Sequence, residues 1–299
     1  MIFSEKILKI AISLLLVVPP GLSAQNAGKI LPASDSVKTG EKKSFHALYT
    51  GGGYGSNMIY LGSTISQDHP YGYGSVSYGF KNELFASASA VHLAGTDPFI
   101  AFYIGSLSYS HPFNDWFDIS AGVYRYQVDP SLIDTLFNSF TYGDVTMGFD
   151  WKLIYTKISA GGLFSDPGRP FLQIRNSRYF QTPEFLGGKA NFSFDPYVNL
   201  LAGTITEVES TSETSYYYSV SSPYRKWRNK GQGSSTSKTF SYTDRFGLLE
   251  IDLGIPVAFN TDFMTIEAEP SYVIPLYDDT YYPGAKGFIF QLSLFFRIF

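Results

Sequence analysis

The sequence predicts an all-β chain that closes into a transmembrane, antiparallel, up-and-down barrel of about twelve strands, with ten or fourteen as the neighbouring solutions. Three observations carry this expectation. Of 299 residues, 44% are hydrophobic and 17% aromatic, yet only 16% are charged, where a soluble domain carries about a quarter. From His46 onward apolar and polar residues alternate with period two, the mark of a strand with two unlike faces. No later stretch approaches the roughly 18 continuous apolar residues that a helical span requires. In hydrocarbon an unpaired backbone amide costs several kcal/mol, so a sheet spans only by closing on itself.

The elements follow in order. Lys6 and Lys9 precede an apolar run at 10–18, which Pro19, Pro20 and Gly21 break before Ser23 and Ala24. That is the order of a signal peptide, so residues 1–24 are expected to be an export signal cut after Ala24. Residues 25–44 are polar and aperiodic, and read as a flexible periplasmic lead-in. The barrel occupies 45–299. Its strands are expected at 46–65, 71–80, 84–93, 99–110, 116–127, 139–151, 156–164, 172–182, 189–207, 245–258, 263–276 and 287–299.

Short connections at 81–83, 111–115, 152–155, 183–188 and 259–262 alternate with longer ones at 129–138, 277–286 and 208–244. Short turns on one side and long loops on the other, with an even strand count, put both termini at the short-turn end. Tyr49, Tyr60, Tyr78, Tyr109, Trp116, Phe117, Tyr126 and Trp151 fall near strand ends, where amphipathic rings sit at headgroup level. The glycines of 51–55 are expected to let a strand bend.

Composition also excludes. With no cysteine, disulfide frameworks, thiolate metal sites and cysteine nucleophiles are ruled out. A formal charge of −4 offers no field for nucleic acid phosphates. No cofactor and no metal site are expected.

The closing segment Gly287-Phe-Ile-Phe-Gln-Leu-Ser-Leu-Phe-Phe-Arg-Ile-Phe299 resembles the C-terminal strand by which bacterial outer-membrane barrels are recognised for insertion. Phe288, Phe290, Leu292, Leu294, Phe296 and Ile298 form its apolar face, and Phe299 shares parity with Gln291, Ser293 and Arg297. Ser110-His-Pro-Phe-Asn-Asp-Trp-Phe-Asp-Ile-Ser-Ala-Gly-Val-Tyr124 is similar to the turn-and-strand units of porin-like, Bacteroidetes-type outer-membrane proteins. The resemblance implies the outer membrane of a Gram-negative bacterium, with lipid and lipopolysaccharide as partners and an unspecified oligomeric state.

Three groups of residues invite a functional reading. Glu250 and Asp252 on one strand, Glu267 and Glu269 on the next, and Arg297 on the last have the polar parity and are expected in the lumen. There they either line a path for a polar solute or form a plug of ion pairs. Asp144, Asp150 and Lys152 share a polar parity elsewhere. In the long loop, Tyr216, Tyr217, Tyr218, Arg225, Lys226, Trp227, Arg228 and Lys230 make an aromatic and basic surface patch suited to lipopolysaccharide phosphates or an acidic glycan, or simply a solvated loop. For catalysis only His46, His69, His92 and His111 are available. Ser89 and His92 are three apart and so face opposite sides of a strand; Asp68-His69-Pro70 reads equally as a turn. The expectation is a passive pore or binding barrel for small polar solutes. The alternatives are a membrane-embedded hydrolase of lipid or peptide and a purely structural or adhesive surface barrel.

Overall fold

Twelve strands pair in chain order and the last returns to the first, so the barrel sheet closes on itself. The computed structural model describes residues 46–299 except 61, 67, 134–135, 165–169, 211–214, 220–239 and 277–285. The proposed signal and lead-in lie outside the described residues. The strands are β1 His46–Gly55, β2 Tyr71–Phe80, β3 Leu84–Leu93, β4 Phe102–Asn114, β5 Phe117–Val128, β6 Phe140–Asp150, β7 Tyr155–Leu163, β8 Pro170–Ser177, β9 Tyr197–Ser210, β10 Phe240–Gly254, β11 Met264–Pro275 and β12 Gly287–Arg297. Closure is made by β12 on β1, with Thr50 opposite Phe296 and Tyr54 opposite Leu292. The backbone pairing runs on past the strand end, Ile298 N–H donating to Leu48 O at 2.8 Å.

Three strands are longer than their named spans. Phe180–Gln181 continues β8, Ala190–Phe194 precedes β9 and Val257–Thr261 continues β10. Each short piece keeps the register of its parent: Tyr197 faces Gly254 and Phe194 faces Val257, while Gly254 faces Ser271 and Val257 faces Ala268. Two of the three breaks fall on Asp195-Pro196 and Ile255-Pro256, where proline has no N–H to give the ladder. The neighbours still donate across the gap, Asp195 N–H to Pro256 O and Ile255 N–H to Pro270 O.

The period-two reading sets the faces. Val76, Leu107, Val145, Met147, Leu253 and Leu292 point outward and stay exposed, an apolar wall that water would not tolerate at this extent. At the short-turn end the rings of Phe113, Phe117, Phe149 and Trp151 touch in series, and Phe185, Phe192 and Phe259 make a second group. That is the aromatic girdle of a lipid-facing barrel.

Four expectations need correction. Tyr49 and Tyr126 do not reach the rim; both have inward parity and are fully buried in the lumen. The first strand ends at Gly55 rather than 65, and 56–70 turns inward around a small hairpin, Ile59–Tyr60 against Ser63–Thr64. The glycines of β1 serve close approach more than bending: a Cβ at Gly51 would collide with the Phe295 ring and one at Gly53 would sit 2.7 Å from Tyr73 Cε1. The long loop is shorter than 208–244, because β9 runs to Ser210, β10 begins at Phe240 and Ser215–Ser219 adds a further strand on β9.

Candidate lumen site

The interior has two layers. Toward the long loops it is aromatic and aliphatic: Phe102, Tyr126, Phe140, Tyr142 and Phe171 from the wall, with the stacked pair Tyr126 and Phe140 at 4.4 Å. Two connections fold into this layer. Met58 and Ile65 come from 56–70, and Leu132, Leu136 and Phe137 from 129–139; all are buried. Phe137 meets Phe102 edge-on at 5.3 Å. A Cβ at Gly62, in the tip of the 56–70 segment, would stand 3.8 Å from Glu250 Oε2 and 3.9 Å from Leu201 Cδ2. That segment therefore reaches from β1 and β2 to the wall formed by β9 and β10.

Below this lid the interior is polar. Among the described residues the buried charged side chains are six acids, Asp118, Asp144, Glu250, Asp252, Glu267 and Glu269, and two bases, Lys157 and Arg175. The four acids expected in the lumen are there, as parity requires. Two of them meet at Tyr197, whose hydroxyl lies 3.1 Å from Asp252 Oδ2 and 2.8 Å from Glu269 Oε1. The Arg175 guanidinium stacks on the Tyr197 ring with Cζ 3.6 Å from its centroid, a cation–π geometry. In the ladder Lys157 faces Arg175, Arg175 faces Asn199 and Asn199 faces Asp252.

Glu250 reaches this layer through a β-bulge. Leu201 pairs with Glu250 and Ala202 with Leu248, so Leu249 is an extra residue. Strict alternation would set Leu249 outside; the bulge turns it in, fully buried beside Glu250. Further polar groups complete the layer. Tyr155 donates to Asp118 at 2.5 Å, Tyr73 and Ser293 share a hydrogen bond of 2.8 Å, and Asn260 donates to Asn191 and Ser193 at 3.1 and 3.0 Å while accepting from Thr265.

The remaining candidates disperse. Arg297 lies at the end of β12, opposite Tyr49 and two residues past the buried Phe295, while Glu267 and Glu269 face Ser293 and Gln291. The base beside Asp252 and Glu269 is thus Arg175, which the sequence reading missed. Its signal was present in Gln173, Arg175 and Ser177, which alternate with Leu172, Ile174 and Asn176. Asp144 is buried in the lumen, Asp150 is half-buried, and Lys152 sits in a turn with φ 70°, off the strand. Tyr216, Tyr217 and Tyr218 lie on the strand pairing with β9; Arg225, Lys226, Trp227, Arg228 and Lys230 lie outside the described residues.

The histidines do not converge. His46 bonds the Tyr78 hydroxyl, His92 Nδ1 meets Phe99 O at 2.6 Å and His111 Nδ1 meets Glu83 at 3.1 Å. Ser89 is buried and His92 lies on the other face. Asp68 is a turn residue at φ 62°, accepting from Asn57 at 2.6 Å.

No family model matches this chain, and no curated protein matches it. Among solved structures it is similar to the "KdgM porin" (TM-score 0.43, 10% identity, covering 84% of this chain and 98% of that one), to "LpxR from Salmonella typhimurium" (0.46, 6%, 83% and 99%) and to the "NanC porin" (0.37, 12%, 84% and 99%). At this level of similarity the functional reading rests on the residues of this chain.

Proposed function

We propose that this chain is an outer-membrane β-barrel that binds small polar solutes in an acid-rich lumen and passes them only when the inward segment 56–70 is displaced. The observation that carries the reading is the layering: six buried acids against two bases, closed off on the long-loop side by residues of 56–70 and 129–139. A carboxylate kept in a membrane interior is costly unless it is paired, hydrated or used. The surplus of acids favours cationic or neutral polar solutes over anions. The outward apolar wall and its aromatic girdle support insertion in a bilayer, and strands that begin and end at the short-turn side support a periplasmic position for both chain ends.

Planar-bilayer recording tests this. Protein lacking 59–64 is expected to show discrete conductance steps with cation preference, and intact protein to show smaller or rarer ones. Silence from both forms would defeat the reading. The hydrolase alternative draws nothing from His46, His92 and His111, which meet Tyr78, Phe99 and Glu83. Changing His46, His69, His92 and His111 to glutamine is expected to leave conductance unchanged; a lipid- or peptide-cleaving activity lost in that variant would put the enzyme first.

A further inference from the structure

We infer that Asp252 and Glu269 hold one proton between them on the Tyr197 hydroxyl, making this triad a proton-binding site inside the lumen. The number of hydrogens decides it. A phenol carries a single O–H and can donate one hydrogen bond. Tyr197 has two carboxyl oxygens in range, Glu269 Oε1 at 2.8 Å and Asp252 Oδ2 at 3.1 Å. With both acids ionised, one of these contacts would set lone pair against lone pair. With one proton added, the hydroxyl donates to one acid and accepts from the other, and both distances become hydrogen bonds.

A second observation points the same way. Asn199 is fully buried, faces Asp252 in the ladder, and neither its Oδ1 nor its Nδ2 is hydrogen-bonded by any protein group; Asp252 Oδ1 is in the same position. Asn199 Nδ2 can donate to Asp252 Oδ1, but Asn199 Oδ1 then still lacks a donor, which a carboxylic acid supplies and a carboxylate cannot. Two buried carboxyls on one hydroxyl share a proton because adjacent like charges disfavour joint ionisation.

The neighbours set the balance. Arg175, over the Tyr197 ring, and Lys157 beyond it favour ionisation. Glu250 on β10 and Glu267 on β11, both buried toward the same layer, oppose it. Protonation adds one H⁺ from solvent and breaks no other bond. The lumen then carries one negative charge fewer than its side chains count, and loss of the proton restores it.

Infrared difference spectroscopy of the purified barrel in lipid, titrated around pH 7, reads a neutral carboxyl directly through its C=O stretch and needs no conductance, so its outcome is separate from that of the pore reading. The expected result is a neutral-carboxyl band at pH 7 that D252N and E269Q each abolish while E250Q leaves it in place, with the unheated gel mobility of each variant confirming a closed barrel. Should a variant fail to fold, ¹³C-aspartate and ¹³C-glutamate labelling of the unsubstituted protein identifies the carrier, and both labels are expected to shift the band. A band untouched by both substitutions and both labels, or one lost with a single residue only, overturns the shared proton.

Discussion

Gly62 lies against Glu250: a carbon added at the Gly62 Cα would stand 3.8 Å from Glu250 Oε2. This contact joins the lid to the polar layer, and it depends on a backbone with φ 81°. An L side chain there costs about 1–2 kcal/mol in backbone conformation alone. Gly62→Val is therefore expected to loosen the segment without unfolding the barrel. In bilayer recordings the open fraction should rise, in the same direction as deletion of 59–64 and by less. Unchanged gating in both variants would show that the segment does not limit passage.

Charge selection should reside in the four acids. Glu250, Asp252, Glu267 and Glu269 are all buried toward the lumen, so changing the set to amides in the 59–64 deletion background removes most of the negative field along the path. Reversal potentials under a salt gradient are expected to move toward zero. If the shift from zero persists undiminished, selectivity lies elsewhere in the wall.

Arg175 and Arg297 should separate sharply. Arg175 is buried, stacked on Tyr197 and within the field of Asp252, whereas Arg297 sits at a strand end. Removing one member of a buried charge network leaves the other uncompensated, at about 3–5 kcal/mol in comparable cases. Arg175→Met is expected to lower the temperature at which the heat-resistant gel form is lost, and Arg297→Met to shift it little. The reverse order would place the stabilising base on β12.

Strand positions were legible because every strand here carries two chemically different faces, so parity alone set both extent and orientation in β2, β3, β5 and β11. Three things escaped it. A bulge such as that at Leu249 inserts one residue without breaking the alternation of residue types, since leucine suits an apolar lumen wall as well as lipid. Tyr49 and Tyr126 look like rim residues because tyrosine suits both a headgroup and a packed interior. The inward path of 56–70 leaves no periodic signal, as its buried Met58, Ile65 and Ser66 fit no strand register. The lumen acids were readable and their partner was not, because pairing across β8, β9, β10 and β11 is a property of the closed ring.

The lid of 129–139 has its own pH signature. Asp129 caps the short 3₁₀ turn at Pro130–Leu132, accepting from Ser131 N–H at 2.9 Å and from Ser131 Oγ at 2.6 Å. These hydrogen bonds hold its carboxyl below the ordinary carboxylate value. A lowered value in the folded state means the cap stabilises the turn above the unfolded carboxylate's pKa of about 3.9 and loses that contribution as pH falls through the folded value. Amide exchange at Ser131 and Leu132, corrected for intrinsic rates, should be flat from neutral pH down to that range and quicken below it. Asp129→Ala should show the fast behaviour at every pH. Protection that ignores both acid and the substitution would mean the turn is held by Leu132, Leu136 and Phe137 alone.

The bulge at Leu249 makes a final, structural prediction. Leu248 points outward and Glu250 inward, and Leu249 between them also points inward. Deleting Leu249 therefore joins an outward residue directly to an inward one, which is the ordinary alternation of a strand. No residue changes face, unlike a deletion in a regular strand, where everything on one side of the cut would turn over. The loss is the packing of one buried leucine against the lumen lid, about 2–5 kcal/mol by analogy with leucine truncation in cores. The deletion variant is expected to insert and keep its heat-modifiable mobility, with a lower melting point and a looser 56–70 segment, because Leu249 Cβ is among the atoms Gly62 rests on. A deletion at Ile251, in the regular part of β10, serves as the contrast and should abolish insertion. If the two deletions behave alike, the register at β9 and β10 is not set by the bulge.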